Sequence, residues 1–525
     1  MKPIHTEIFV DHDHDLDTTE LRQNVAEHLD IEVEHVHEVR IVKQALDARR
    51  RHSKPKWRLK VQADVSQESA QKQRLLPAPK VQKRLSSPSA SKDSSPVIIV
   101  GAGPAGLFAA WHLAENGAKV ILLERGKPVE TRARDCGRFR SKGELDLESN
   151  LSFGEGGAGT YSDGKLYTRK NNPLIREVLE RLVEVGGPAR ILTDAKPHIG
   201  TNLLFRMLQN LRNKLISYGA DVRFETKMER LQLAGNVVSG IETAEGVHHA
   251  NRVILATGHS ARDTFYTLLA QGIPMEAKPF AVGVRAEHPQ YIIDDAQYRQ
   301  GRPRPKSLPA ADYRLAHTEH NRGVYSFCMC PGGMIVPTAT EAEMVVVNGM
   351  STAKRSSPFA NSGLVVQVNI EDFKSSHPLA GVEFQRKLER AAYAAGGNSY
   401  AAPAIRISDF VSGRSAGELA HSHFRPALTR ADLNDVFPSF IVKGLRRGLK
   451  RFDSQLRGYV TEEGNLIGAE TRTSSPIRIP RDKETFQVEG FDGLYVAGEG
   501  PGYAGGIMSA AIDGLNVAHR VLKSL

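Results

Sequence analysis

Residues 97–126 read Val97-Ile98-Ile99-Val100-Gly101-Ala102-Gly103-Pro104-Ala105-Gly106, then the apolar run Leu107–Ala114, then Val120-Ile121-Leu122-Leu123-Glu124-Arg125-Gly126. Strand, glycine turn, helix, second strand and terminal acid follow in the order that holds a dinucleotide diphosphate. Gly101 permits the tight turn, Gly103 lets the backbone approach the pyrophosphate, and Gly106 lets helix and strand pack closely. The helix opening at Pro104 and Ala105 aims its unpaired N–H groups and positive dipole end at the phosphates. Glu124 ends the second strand, where a carboxylate binds ribose hydroxyls, and Arg125 follows it. From Pro96 to Ala114 no residue is charged, which approaches a membrane span in length. The glycines and Pro104 break it where a membrane helix is continuous, so a strand–turn–helix is the reading kept.

The chain has 525 residues, 40% apolar and 25% charged, enough for two or three domains with large cores. Its formal net charge of +10 admits an anionic partner or cofactor. Three cysteines argue against a disulfide scaffold and fit a reducing compartment. The N-terminus, Met1-Lys2-Pro3-Ile4-His5-Thr6-Glu7, carries no apolar signal core. The cytoplasm is the expected location, with no membrane association.

Five segments are expected. Residues 1–65 form a small α+β domain: a strand over Ile4–Val10, a helix from Thr18 to Leu29, and a strand over Val36–Val42. A short helix over Gln44–Arg51 and a strand over Trp57–Ala63 complete it. Residues 66–95, rich in Ser, Gln, Pro and Lys, read as a flexible linker. A nucleotide-binding domain follows over 96–277, with helices over Leu174–Val185 and Asn202–Tyr218. The stretch 278–466 has strands such as Met344–Asn348 and Val365–Ile370 and reads as an inserted substrate domain. Residues 467–525 return to the first type, ending in a helix over Ile507–Leu522.

Three glycine-bearing turns follow buried strands: Gly101–Gly106, Ala256-Thr257-Gly258, and Gly498-Glu499. The trio resembles FAD enzymes of the glutathione-reductase-like superfamily. That resemblance implies an Ala-Thr-Gly turn on the nucleotide side, and a Gly-acid pair near the ribityl chain or pyrophosphate, with Glu499 in the usual aspartate place. It also implies that the helix after Gly505-Gly506, from Ile507, points its N-terminus at the flavin N1 and C2 carbonyl. A helix dipole there favours the reduced anion. No second dinucleotide fingerprint is present, so either NAD(P)H would bind transiently or electrons would come from the substrate itself.

Longer strings resemble a bacterial family of uncharacterised FAD-dependent dehydrogenase-like proteins. They are Ser152–Leu166, Lys278–Arg285, Ser326–Gly333, Asn348–Ser351 and Glu470–Pro476, with Leu46-Asp47-Ala48-Arg49 near the N-terminus. The implied fold class is α/β: a Rossmann-like FAD-binding domain in three layers (ββα), an inserted α+β substrate domain, and a small N-terminal ferredoxin-like α+β domain. The family implies FAD but no substrate.

Residues 154–165 hold five glycines, enough flexible backbone for Gly157, Ala158, Gly159 and Thr160 to wrap a flavin edge. Lys165 could polarise flavin N5, bind an anionic substrate, or face solvent. Arg285 and Arg472 could each bind a carboxylate through the planar fork or make ion pairs. His259 is a proton donor or stands one contact further back. In Cys328-Met329-Cys330, residues i and i+2 of a regular strand share a face about 6.6 Å apart, and a disulfide needs a bend. Two small residues packed beside a turn is the preferred reading. Asp11-His12-Asp13-His14-Asp15 matches no closed zinc spacing, and no metal is expected.

The main expectation is an FAD-dependent oxidoreductase moving hydride between a small-molecule substrate and non-covalent FAD. Two alternatives stand: a flavoprotein acting on RNA or other nucleic acid, and an FAD-stabilised regulatory protein without turnover. Arg49–Lys60 holds seven Lys or Arg and Lys443–Arg451 holds five, but residues 1–65 count 11 basic against 13 acidic, so nucleic acid is not favoured.

Overall fold

Every residue of Val97–Val100 is buried, because strands flank it on both edges and a layer covers each face. It is the middle of a five-stranded parallel sheet, ordered Leu494–Val496, Arg252–Leu255, Val97–Val100, Val120–Leu123, Asp221–Arg223. Alternate side chains enter opposite layers. Val97, Ile99, Leu122 and Ile254 pack on helices Pro104–Glu115 and Ile507–Ser524. Ile98, Val100, Leu123 and Val253 pack on the antiparallel sheet Arg230–Ala234, Val237–Thr243, Gly246–His249. The layers run β, β, α. The computed structural model describes residues 2–14, 17–49, 54–67, 85, 89–90, 95–168, 171–319, 321–415 and 417–525.

The chain leaves this domain at Glu276–Ala277 and returns at Ile477–Arg478, and the two segments pair antiparallel as a neck. Beyond it lies a seven-stranded sheet, ordered Ala316–Glu319, Arg322–Cys330, Phe359–Val368, Phe280–Pro289, Asn465–Glu470, Ala402–Arg406, Leu428–Arg430. The boundary expected at 466 cuts through Asn465–Glu470. That strand is buried along its length and pairs with Phe280–Pro289 and Ala402–Arg406, which assigns it to the inserted sheet. Two expected strands shift. Val347–Ser351, paired with Gly333–Pro337, replaces 344–348, and Phe359–Val368 replaces 365–370.

The N-terminal module is an antiparallel sheet ordered Lys2–Asp11, Lys56–Val65, Val36–Asp47. It carries the helix Thr18–Leu29, capped by Asp17, whose carboxylate accepts from the Thr19 and Glu20 N–H groups at 2.8 Å. The helix expected over Gln44–Arg51 is instead strand as far as Asp47, because Gln44–Asp47 pair with Lys56–Leu59. A ferredoxin-like unit needs a second α-helix and a fourth strand, and the described residues of the module hold one α-helix, a single 3-10 turn at Val33–His35 and three strands. Gln44 docks the module on the main domain. Its N–H donates to the Thr193 carbonyl and its carbonyl accepts from the Ala195 N–H, both at 2.8 Å, while Nε2 donates to Asp194 at 2.6 Å.

Most of the expected linker, 66–95, lies outside the described residues. Within it, the Leu85 N–H donates to Glu177 and the Ala90 N–H to the Asn116 carbonyl, each at 2.9 Å. Among the described residues no helix is long and apolar enough to cross a membrane.

Candidate functional site

The glycine turn is built by backbone contact. A methyl group added at Gly106 would stand 1.9 Å from the Gly101 carbonyl oxygen, and one at Gly101 would stand 2.4 Å from that of Ala256. Four other glycines, Gly103, Gly258, Gly505 and Gly506, have nothing within 4 Å of an added Cβ. Neighbouring segments close round these open positions. A Cβ at Gly157 would lie 3.2 Å from Gly103 Cα, one at Gly159 3.1 Å from Ile507, one at Gly498 2.8 Å from Ala105 Cβ, and one at Gly500 2.7 Å from the Gly258 carbonyl. The turns expected at 101–106, 157–160, 256–258 and 498–507 therefore meet in one cleft.

Two helices start there. Neither Pro104–Glu115 nor Ile507–Ser524 has a side-chain N-cap. Their first internal bonds run from Leu107 to Gly103 and from Ala510 to Gly506, so the first-turn N–H groups are left for a ligand. An open cradle with two positive helix ends suits a diphosphate and an electron-rich ring.

Buried side chains hold the cleft in shape. Glu124, expected at the ribose, accepts from Ala102 N–H at 2.8 Å, Gly126 N–H at 3.0 Å and Gly154 N–H at 2.9 Å. It ties the first turn to the glycine-dense loop, keeping lone-pair capacity for a hydroxyl. Arg125 is bidentate on Asp263 at 2.9 Å and lies 4.2 Å over the Phe153 ring. Two further residues were not found from the sequence. Arg132 is fully buried and donates to the carbonyls of Asn150, Glu155 and Gly157 at 2.8, 2.6 and 2.9 Å, fixing the loop. Asp513 accepts from Gly498 N–H at 2.8 Å and is gripped by both Nη atoms of Arg481. Neither residue stands in a motif, so no local pattern marked them.

A cavity opens between the two domains, walled by Ser152, Tyr161 and His259 on one side and Asn348, Glu470 and Arg472 on the other. His259 donates to or accepts from Ser260 Oγ through Nδ1 at 3.0 Å, and its Nε2 is 3.9 Å from Glu499. Burial, with Arg472 and Arg262 nearby, lowers its pKa to about 3, so the imidazole is neutral at pH 7. Burial raises Glu499 to about 8 against the opposing charge of Lys278. Glu470, the last residue of strand Asn465–Glu470, also walls the cavity and was missed from the sequence.

The structure corrects two of the expected substrate contacts. Arg285 has no exposed surface. Its guanidinium is spent on Glu470 (2.8 Å from both Nε and Nη2), Asn348 (2.8 Å), Asn361 (2.9 Å) and the Cys328 carbonyl (3.0 Å), leaving no fork for a substrate. Arg472 reaches the cavity wall, but its fork grips buried Glu389 at 3.2 and 2.9 Å, with Thr340 at 2.6 Å. Lys165 does not face solvent freely: its Nζ is 3.0 Å from buried Asp163. Asp163 also takes Arg355 and the Ser351 hydroxyl, and these partners hold it at about 2. In the N-terminal module, the ligand atoms of Asp11, Asp13 and His14 lie within 4.8 Å of one another, and Lys56 pairs with Asp11 at 3.0 Å.

Comparison with known proteins agrees with this geometry. Residues 96–188 match the family model described as FAD dependent oxidoreductase, and residues 279–473 match that of the FAD-dependent protein, C-terminal domain-like. Residues 4–64 match a domain of unknown function. An uncharacterised protein of Clostridium beijerinckii is 43% identical over 430 residues, 81% of this chain and 80% of that one. Monomeric sarcosine oxidase of Bacillus sp. is 23% identical over 265 residues, 44% of this chain and 64% of that one. The solved L-proline dehydrogenase from P. horikoshii aligns with a TM-score of 0.33 and 14% identity, over 83% of this chain and 94% of that one. A TM-score at that level carries no argument about substrate.

A Rossmann-type domain with this cleft, facing a second domain across a polar cavity, defines an FAD-dependent oxidoreductase, and FAD is the cofactor. The chain belongs to the same family as the Clostridium protein, with the FAD dependent oxidoreductase domain and the FAD-dependent C-terminal domain in that order.

Proposed function

We propose that this protein transfers hydride between a small-molecule substrate and non-covalently held FAD. The observation that carries the reading is the cleft itself, where four open glycine positions meet two uncapped helix N-termini. Gly101–Gly106, Glu124 and Arg125 hold the adenosine and diphosphate end. Gly157–Thr160 and Ala256–Gly258 close over it, and Gly498, Glu499 and Gly505–Ile507 face the ring end. When bound, FAD supplies a two-electron acceptor or donor beside the inter-domain cavity. The helix starting at Ile507 favours negative charge in front of it.

The substrate binds in the cavity, between residues of the cofactor domain and of the inserted domain 279–473. Neutral His259 on the cavity wall and protonated Glu499, 3.9 Å from it, can each hold a proton, and Asn348 offers a hydrogen-bonding amide. Electrons come from the substrate or from a nicotinamide nucleotide that binds transiently. Three free thiols suit a reducing, cytoplasmic setting.

The test is purification followed by anaerobic mixing with candidate reductants, read at the visible flavin absorbance. The expected result is a yellow protein bleached by at least one metabolite class. A colourless protein that takes up no added FAD sinks the reading. A yellow protein that no metabolite reduces favours the regulatory alternative.

A further inference from the structure

The strand Arg322–Cys330 is irregular at its end. It pairs with Phe359–Val368 in regular register to Phe327 opposite Gly363, then resumes with Cys330 opposite Asn361. Three steps on one strand thus face two on the other, a bulge of one residue. Cys328 takes the extra position in the left-handed region, at φ +43, which favours glycine. The alternation that separates residues i and i+2 is therefore broken at the Cys-Met-Cys run. Cys330 Sγ donates to the Cys328 carbonyl at 3.3 Å, and the same carbonyl accepts from Arg285 Nη1 at 3.0 Å. Cys330 has no exposed surface, whereas Cys328 is half-buried. The third cysteine, Cys136, packs elsewhere with Phe139 and Tyr161.

The surroundings of the pair are charged, and Arg285 joins the Cys328 carbonyl to two residues of the cavity wall, Glu470 and Asn348. The positive charges of Lys165, tied to Asp163, and of Arg285, tied to Glu470, act on both sulfurs. The charge of Arg355 also reaches Cys330. Glu470 walls the cavity and Glu499 belongs to the Gly498-Glu499 turn, and the charge of Cys328 reaches both. The Cys330 S–H and the two cations pull the Cys328 thiol well below its ordinary value, while the adjoining Cys328 sulfur and burial push Cys330 up. One sulfur is prepared as the thiolate nucleophile and the other as its protonated partner.

We propose that Cys328 and Cys330 form a redox-active dithiol that exchanges two electrons with FAD. The proposal rests on the flavin reading above. In the forward step the Cys328 thiolate and the Cys330 sulfur form an S–S bond, and Cys330 gives up its proton. The pair loses two electrons, and these pass with that proton to oxidised FAD, giving its two-electron-reduced form. The reverse step cleaves the S–S bond and restores one thiolate and one thiol. The electron donor or acceptor implied for the site belongs to the thiol–disulfide class.

The experiment is an anaerobic dithionite titration of the oxidised holoprotein, with alkylation and mass spectrometry of the denatured chain at each end. The expected uptake is four electrons per flavin, with visible bleaching lagging behind the first equivalents. One alkylatable cysteine is expected in the oxidised chain and three in the reduced chain. Cys328→Ser and Cys330→Ser should each bleach linearly with two electrons, while Cys136→Ser keeps four. A yellow wild-type protein that takes two electrons and shows three free thiols throughout overturns the proposal and leaves the flavin reading standing. A protein that binds no FAD sinks both.

Discussion

At Gly106 the turn has no room for even one more carbon. A methyl group there would meet the Gly101 carbonyl oxygen at 1.9 Å, and both partners are backbone, so the relief must come from moving the helix off the turn. We expect Gly106→Ala to weaken FAD binding at least tenfold and to cost about 1–3 kcal/mol of stability. Flavin content after gel filtration and a denaturation curve check both; unchanged flavin occupancy would count against the assigned cleft. Residues of this kind are legible in sequence because their task is local: a turn, a close approach, a helix start. Arg285 and Arg472 are not. Each is a chemically apt carboxylate binder, and only the tertiary structure shows that Glu470 and Glu389 already fill the forks. The same holds for Cys328 and Cys330, whose spacing on a regular strand argues against pairing until the bulge is seen.

Helices Pro104–Glu115 and Ile507–Ser524 present their N-termini to one cleft because they cross closely. A Cβ at Gly514 would stand 2.1 Å from the Ala105 carbonyl oxygen, so the first turn of helix Pro104–Glu115 touches the backbone of helix Ile507–Ser524 about two turns inside its cofactor-facing end. Gly514→Val should force the helices apart. We expect the thermal midpoint to fall by about 5 °C or more and flavin content to fall with it, because the two helix ends no longer converge. Loss of stability with full flavin occupancy would show that the crossing does not position the cleft. At this scale the apolar runs at 97–100 and 253–255 and the helix at 507 are readable from pattern alone. The Gln44–Arg51 pattern misleads because pairing with Lys56–Leu59 outweighs a weak local helix preference.

The two large domains are locked across the neck by Glu389. It lies on helix Ala380–Ala395 of the inserted domain and takes Arg262, the first residue of helix Arg262–Ala270 in the cofactor domain, at 2.7 and 2.9 Å. Arg472 and the Thr471 hydroxyl complete its shell. Burial opposes its charge, but the two guanidinium groups win and hold the carboxyl far below the usual range. Glu389→Gln leaves two buried cations short of a counter-charge, and we expect a loss of about 3 kcal/mol or more at pH 7. A folded-state pKa below the unfolded value of 4.5 means this contribution is complete above that pH and fades as the pH falls below it. Denaturation curves of both proteins should therefore converge on acidification; a constant gap down to pH 3 would refute the ionised lock. None of this was visible in the sequence, since Arg262, Glu389 and Arg472 are far apart in the chain and stand in no shared motif. By itself the sequence determined the dinucleotide turn, the parallel sheet and the existence of an insertion, because periodicity and glycine spacing are properties of neighbouring residues. The tertiary structure alone decided which charges are free and which are spent, where the inserted sheet ends, and that a bulge breaks the strand spacing of two cysteines. Those depend on partners that the fold, not the chain order, brings within a few ångströms.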